Sequence, residues 1–286
     1  MLISIITVTY NNMKGLESTI KSVDSQTNKN FEFIIVDGAS NDGSLELIKK
    51  YDHVITRWVS EPDSGIYNAM NKGVKMATGE YCLFMNSGDL LYSSTTMEEL
   101  ISQNLDADFV EGRIAFGNSP GKYSNPPKKR TLWSYIYGFN NCHQASLISR
   151  ELLLRIPYDE SYKIAADLKF NMEAIICNNC SYKTIDTIVC NYEVGGRSAT
   201  VSHEKEIVRA YNELFPKRIL EDYQMLIYHK FWPSRLFWHL AYKFAPCKNG
   251  YKFYLLLKKI CRRKISLGEI QMLDTIADWK NKYLKR

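Results

Sequence analysis

No stretch of the 286-residue sequence approaches the roughly 18 apolar residues that a membrane-spanning helix needs. No basic segment precedes a signal-like apolar run at the N-terminus either, so a cytoplasmic chain is expected. Two common nucleotide signatures are missing: no G-x-G-x-x-G follows the first predicted strand, and G-x-x-x-x-G-K-[ST] occurs nowhere. Their absence argues against a dinucleotide dehydrogenase and against a P-loop enzyme. Cysteine is scarce and odd in number, with seven residues spread from Cys82 to Cys261, which is not the dense even framework of a small secreted protein. Reduced thiols are expected. Cys177 and Cys180 form a C-x-x-C without a second pair at zinc spacing, and they follow a predicted helix where a redox motif would precede one. The run from Asp37 to Gly43 fails as a calcium loop, because Ile48 stands where the twelfth-position carboxylate is required.

What is present is an ordinary globular balance, 45% hydrophobic and 24% charged, enough for one large domain or a domain with an extension. The net charge of +6 is unevenly placed: residues 215–286 hold 16 Lys and Arg against 5 Asp and Glu, leaving 21 against 26 before them. An acidic front and a basic tail suit different partners, the tail facing an anionic surface.

Short apolar runs alternate with helical patterns in the first third, the mark of βαβ units feeding a mainly parallel sheet. Strands are expected at 2–10, 31–37, 54–59 and 81–85, with helices carrying Leu16, Ile20 and Val23, then Leu45 and Ile48, then Ile66, Met70, Val74 and Ala77. A helix over 93–104 and a strand over 109–114 follow, and a Pro-, Gly- and Lys-rich loop at 118–130 marks a soft subdomain boundary. Further on, the pattern predicts a helical stretch from Trp133, a strand at 143–149, a helix at 167–177 and a strand at 184–192. Gly195 and Gly196 open a flexible segment, and the tail is helical in pattern.

Acidic residues recur at strand ends: Asp37, then Glu61 and Asp63, then Asp89. In a doubly wound sheet these converge on one edge, where a carboxylate cluster suits a divalent cation and a nucleotide. Equally, Asp37 and Asp42 can form Asx turns, and Asn86 to Asp89 can be a plain loop.

Three strings together carry a resemblance: Ile3 to Asn11; Ile35-Val36-Asp37-Gly38 with Ser40, Asp42 and Gly43; and Asn86-Ser87-Gly88-Asp89. Over roughly residues 1–200 the chain resembles the family 2 glycosyltransferases of glycosyltransferase-A fold. The run from Glu61 to Gly73, EPDSGIYNAMNKG, narrows the likeness to bacterial members that build O-antigen, capsule and exopolysaccharide. The resemblance implies an α/β, Rossmann-like fold with a basic, aromatic-rich helical C-terminal extension. It implies that Thr9, Tyr10, Asn11 and Asp37 contact the uracil and ribose of a UDP-sugar and that Asp63 sits in the same nucleotide pocket, with Lys72 near the nucleotide or simply a surface charge. The family's metal motif is D-x-D or D-D, whereas here Ser87-Gly88-Asp89 keeps the final carboxylate alone, making Asp89 the implied ligand of Mn2+ or Mg2+. Ser87 and Gly88 would then count among the residues that bind the nucleotide sugar.

Asp167, after Ile164-Ala165-Ala166, is the implied general base for the acceptor hydroxyl, with a helix-start aspartate as the alternative. His143 and Gln144 would line the acceptor side, His143 otherwise being structural. Arg197 would close on the diphosphate, unless it is a solvated arginine. Residues 230–264 interleave aromatics with lysines and arginines, which suits contact with a cytoplasmic membrane surface; a packed helical pair and nucleic-acid binding are the rivals. The expected organisation is a nucleotide-sugar half at 1–115, an acceptor and catalytic half at 116–214, and an extension at 215–286. The expected activity is inverting transfer of galactose, or else an N-acetylhexosamine, from a UDP-sugar to a saccharide on a lipid-pyrophosphate carrier. A catalytically dead scaffold and a sugar nucleotidyltransferase are the competing functions; for the latter Asn11-Asn12-Met13-Lys14-Gly15 is a poor loop.

Overall fold

The computed structural model describes residues 2–117, 121–136, 141–192 and 203–228. β1 (Ile3–Thr9) and β2 (Glu32–Asp37) are buried at every residue, as β-branched runs covered on both faces should be. β3 (Arg57–Ser60) and β4 (Tyr81–Phe84) flank them in the order β3-β2-β1-β4, all parallel. Parallel neighbours need crossover connections, and α1 (Met13–Asp24), α2 (Ser44–Lys50) and α3 (Ile66–Met76) supply them. Asn12 caps α1 by accepting from the Gly15 N–H at 3.2 Å, and Leu16, Thr19, Ile20 and Val23 form its buried face.

The chain continues through β5 (Leu90–Leu91), α4 (Thr96–Ser102), β6 (Phe109–Phe116), α5 (Leu132–Ile136), β7 (Ser146–Ser149), α6 (Arg150–Arg155), α7 (Ala166–Met172), β8 (Tyr182–Tyr192) and α8 (Glu204–Leu214). β7 enters antiparallel between β4 and β6, β8 lies parallel to β6, and β5 is antiparallel to β8. Since β7 opposes both its neighbours, β6 and β8 point the same way as β1 to β4. The carboxyl ends of six strands therefore reach one edge of an eight-stranded sheet ordered β3-β2-β1-β4-β7-β6-β8-β5. The α/β, mainly parallel fold stands, with three antiparallel pairings that the strand patterns did not reveal. Ile3, Ile5, Phe33, Ile35 and Leu83 form the core with Leu16, Ile20, Ile48 and Met97 from the helices.

Two local differences bear on the site. The strand expected at 143–149 begins with a 3-10 turn, His143–Ala145, because the Ala145 N–H turns back to the Cys142 carbonyl at 3.0 Å. The helix expected at 167–177 is α-helical over Ala166–Met172 and π-helical over Glu173–Cys177. Two compact units are present, Met1–Leu214 and Phe215–Arg286, and α9 (Lys217–Tyr228) is the described element of the second. Among the described residues no helix is long and apolar enough to cross a membrane. The aromatic and basic run at 230–264 lies outside the described residues.

One buried charge organises the half of the sheet that holds β6, β7 and β8. Glu111 on β6 is 4% exposed, and its carboxylate accepts from Arg130 at 2.6 Å, from Asn141 Nδ2 at 2.6 Å and from the Tyr182 hydroxyl. These bonds join β6 to β8, to Arg130 two residues ahead of α5, and to the chain just before His143. Glu111→Gln leaves a buried guanidinium facing a neutral amide, a loss of about 3–5 kcal/mol. Urea unfolding is expected to show that drop; a change under about 1 kcal/mol, the scale of a surface pair, would contradict it.

Candidate active site

Strand register begins the assembly, setting Thr9 beside Asp37 and Asp37 beside Ser60. Asp37 is fully buried and accepts from the Ser40 N–H at 3.1 Å, from the Ser60 hydroxyl at 2.6 Å and from the Ser40 hydroxyl. Gly38 is required by close approach, since a Cβ there would lie 2.5 Å from Asp63 Oδ2 and 3.2 Å from the Tyr10 ring. Tyr10, 65% exposed, thus stands over a corner that also holds Asp37 and Asp63. Asp63 accepts from the Gly65 N–H at 2.9 Å. The polar groups of Asn11 are engaged internally: its N–H donates to Ser40 Oγ at 2.8 Å and its Oδ1 accepts from the Asn41 N–H at 2.9 Å. Asp42 takes the turn role weighed for it, accepting from the Met13 N–H at 2.8 Å and the Ser44 N–H at 3.1 Å. Lys72 pairs with Glu61 at 2.7 Å and donates to the Pro62 carbonyl at 3.1 Å, so its ammonium is held by the loop that carries Asp63.

β4 exits into Asn86-Ser87-Gly88-Asp89, a turn strapped down by α1. Asn12 Nδ2 donates to the Ser87 carbonyl at 3.0 Å and to Ser87 Oγ at 3.1 Å, while the Gly88 N–H donates to Thr19 Oγ1 at 2.9 Å. Gly88 has φ +105°, a left-handed value that favours glycine. Asp89 Oδ2 accepts from the Asn86 N–H at 2.8 Å and Oδ1 from Gln144 Nε2 at 3.2 Å. Burial raises the Asp89 pKa, against the lowering pull of His143 and the Gln144 bond.

From that turn a polar line runs to Asp167. His143 Nε2 lies 3.2 Å from Asn86 Nδ2, and its Nδ1 lies 3.4 Å from Asp167 Oδ2. Asp167 Oδ1 accepts from the Leu168 N–H at 2.8 Å and from the Tyr67 hydroxyl at 3.2 Å. One oxygen of Asp167 therefore serves the start of α7, where Ala165 is the cap residue, and the other faces the histidine. Asp89, Gln144, His143 and Asp167 are brought together at the carboxyl edge; Arg197 lies outside the described residues.

The family model described as Glycosyl transferase family 2 matches residues 4–155, which contain both the Asp37 corner and the Asp89 turn. The chain belongs to this family. A PGL/p-HBAD biosynthesis glycosyltransferase of Mycobacterium bovis is 29% identical over 218 residues, covering 73% of this chain and 83% of its own. S. aureus TarS residues 1–349, solved in complex with UDP-GlcNAc, superposes with a TM-score of 0.61 at 21% identity over 75% of this chain. This chain spans 65% of that TarS fragment, just under two thirds. Mannosyltransferase PcManGT from Pyrobaculum calidifontis, in complex with GDP-Man and Mn2+, covers 99% of this chain and 88% of its own, with a TM-score of 0.56 at 16% identity. Both solved structures share the fold.

The family 2 glycosyltransferase has a donor set that fits a divalent cation. Asn86 Oδ1 is buried with no hydrogen-bond partner, in the same turn as the Asp89 carboxylate, and both are the hard oxygen ligands Mg2+ and Mn2+ prefer. Among the described residues no group of three or more His, Cys, Asp and Glu can hold a metal unaided, so diphosphate and water would complete the shell. The Thr9 hydroxyl is likewise buried without a partner, on the residue paired with Asp37.

Several site residues of the glycosyltransferase escaped pattern reading. Tyr67 and Asn71 occupy the buried face of α3 as polar residues: Asn71 bonds the Tyr158 carbonyl at 2.8 Å and N–H at 3.0 Å, and Glu160 at 3.0 Å. Their spacing of four within the EPDSGIYNAMNKG run was the available signal. Glu206, which binds the loop ahead of Asp167, had no such signal.

Burial disfavours the charged form of His143, yet the hydrogen bond and charge of Asp167, with the charge of Asp89, raise its pKa to about 9. The neutral ring, whose Nδ1–H donates to Asp167 and whose Nε2 accepts from Asn86 Nδ2, leaves Asn86 Oδ1 free for a cation; the imidazolium of the metal-free protein needs that amide oxygen turned toward Nε2. A folded pKa above the ordinary 6.5 means that the imidazolium stabilises the fold fully below pH 6.5 and loses that contribution as pH rises through about 9. Metal-free wild type is therefore expected to lose melting temperature between pH 6.5 and pH 9 more steeply than His143→Gln. Parallel slopes in differential scanning calorimetry would show that His143 carries no such charge.

Proposed function

We propose that the protein is an inverting, metal-dependent glycosyltransferase that moves a sugar from a UDP-sugar to a saccharide hydroxyl, forming a β-linkage from an α-linked donor. The observation that carries this reading is the line Asp89–Gln144–His143–Asp167, which sets two carboxylates on either side of a histidine at the edge where the strands end. Residues 1–115 would bind the donor and 116–214 the acceptor. Tyr10 has the exposed face to stack on uracil, and Asp37 and Asp63 the carboxylates to meet its imide and the ribose. Asn11 would act by holding the loop at Ser40 and Asn41, and Lys72 by holding the loop of Asp63. The UDP-GlcNAc bound to TarS supports a uridine donor, and the Mn2+ beside GDP-Man in PcManGT supports a cation.

Asp167 Oδ2 accepts the proton of the acceptor hydroxyl as that oxygen attacks C1 from the face opposite the diphosphate, and UDP departs as the C1–O bond breaks. Asp89 and Asn86 would hold Mn2+ or Mg2+, which would supply positive charge for the departing diphosphate. Gln144 keeps Asp89 oriented, and Ser87 and Gly88 shape the turn under the phosphates. His143 holds Asp167 Oδ2 in place until the acceptor hydroxyl takes that position, and Arg197 would pair with the phosphates. Galactose, then an N-acetylhexosamine, is the proposed order of donors. The acceptor proposed is a growing surface saccharide on a lipid-pyrophosphate carrier, met at the inner face of the cytoplasmic membrane through the basic segment 215–286.

The test is UDP release and product formation by purified protein with a UDP-sugar panel and Mn2+ or Mg2+. Asp167→Asn is expected to lose about 10²–10⁴-fold in kcat, and Asp89→Ala to lose at least about 10²-fold with a weaker metal response. Failure of wild type to bind or turn over any UDP-sugar would refute the donor assignment.

A further inference from the structure

We infer that Glu206 on α8 is a positioning residue for transfer, holding from outside the loop that carries the base. The inference rests on Asp167 being that base. Three successive amides converge on this one carboxylate: the Lys163 N–H donates to Oε1 at 2.8 Å, and those of Ile164 and Ala165 to Oε2 at 2.9 Å each. All three amides lie ahead of the helical ladder of α7, whose first bond runs from the Lys169 N–H to the Ala165 carbonyl at 3.1 Å, so they need an acceptor from elsewhere. Glu206 fills that need across sequence.

The same loop is gripped from its other side. The Ile164 carbonyl accepts from the Tyr67 hydroxyl, so the peptide unit between Ile164 and Ala165 is tied to α3 through its C=O and to α8 through the Ala165 N–H. Tyr67 also reaches Asp167 Oδ1, which leaves Oδ2 as the oxygen directed toward His143 and the acceptor space. α8 is in turn anchored two helical turns further on, where Glu213 pairs with Lys169 of α7 at 2.8 Å and accepts from the Tyr162 hydroxyl at 2.9 Å. Burial opposes the Glu206 charge, but the three N–H bonds and the charge of His203 lower its pKa below the ordinary value, so the clamp persists at neutral pH. Backbone held by a charged acceptor shifts little, and a shift of about 1 Å in a base can cost about 100-fold in rate.

Glu206→Gln keeps the side-chain volume and one acceptor oxygen, whereas Glu206→Ala keeps neither. The expected series is a kcat about 10-fold lower for Gln and about 100-fold lower for Ala. The donor KM and UDP affinity measured by calorimetry with Mn2+ should stay within about twofold of wild type. In hydrogen exchange, the amides of 163–165 should open faster in both variants. Wild-type kcat in Glu206→Ala overturns the proposal, as does a loss that comes with a raised donor KM and a collapsed melting temperature. Full transfer by Asp167→Asn removes the base and the proposal with it. That failure is distinguishable, because it appears in a variant with Glu206 intact.

Discussion

Parallel pairing of β1 with β2 and β4 is the constraint on which the site depends. Parallel strands deliver their carboxyl ends to one edge, and the register puts Thr9, Asp37 and Ser60 in a row there. The row would be empty chemistry without close backbone approach at Gly38, which lets Asp63 and Tyr10 meet over Asp37. Antiparallel insertion of β7 extends the same edge, because it returns β6 and β8 to the direction of β4 and brings His143 and Gln144 in from the turn before it.

The helices do more than cover the sheet. α1 caps itself with Asn12 and with the same side chain pins Ser87, so the start of the first crossover helix also fixes the turn after β4. α3 packs one face on the sheet and uses Tyr67, Asn68 and Asn71 to hold the chain from Tyr158 to Asp167. The run from Glu61 to Gly73 thus connects two tasks: its first residues frame Asp63, and its later ones support the loop of Asp167. A helix that is polar on part of its buried face makes sense only with that loop in place.

The departure from D-x-D has a physical counterpart. At Ser87, where the family has its first carboxylate, the hydroxyl and carbonyl are both taken by Asn12. One carboxylate remains at Asp89, oriented by Gln144 and by the Asn86 N–H, with the unpartnered Asn86 oxygen beside it. His143 sits among these groups as a titratable charge, and its raised pKa reflects the two carboxylates it faces.

Period and composition alone marked out β1, β2 and β4 as the centre of the parallel core, because a strand buried on both faces must be largely apolar and the crossover helices must be amphipathic. The same local logic put Asp37, Asp63 and Asp89 at strand ends, and the motifs brought Asp167 and His143 into view by resemblance. Only the tertiary structure decided that Asp42 serves a turn, that Lys72 belongs to Glu61, and that His143 opens a 3-10 turn rather than a strand. It alone joined Glu111 to Arg130, Tyr67 to Asp167, and Glu206 to the amides of 163–165. These contacts link residues tens of positions apart, and hydrophobic period carries no record of which distant polar groups will satisfy one another once buried.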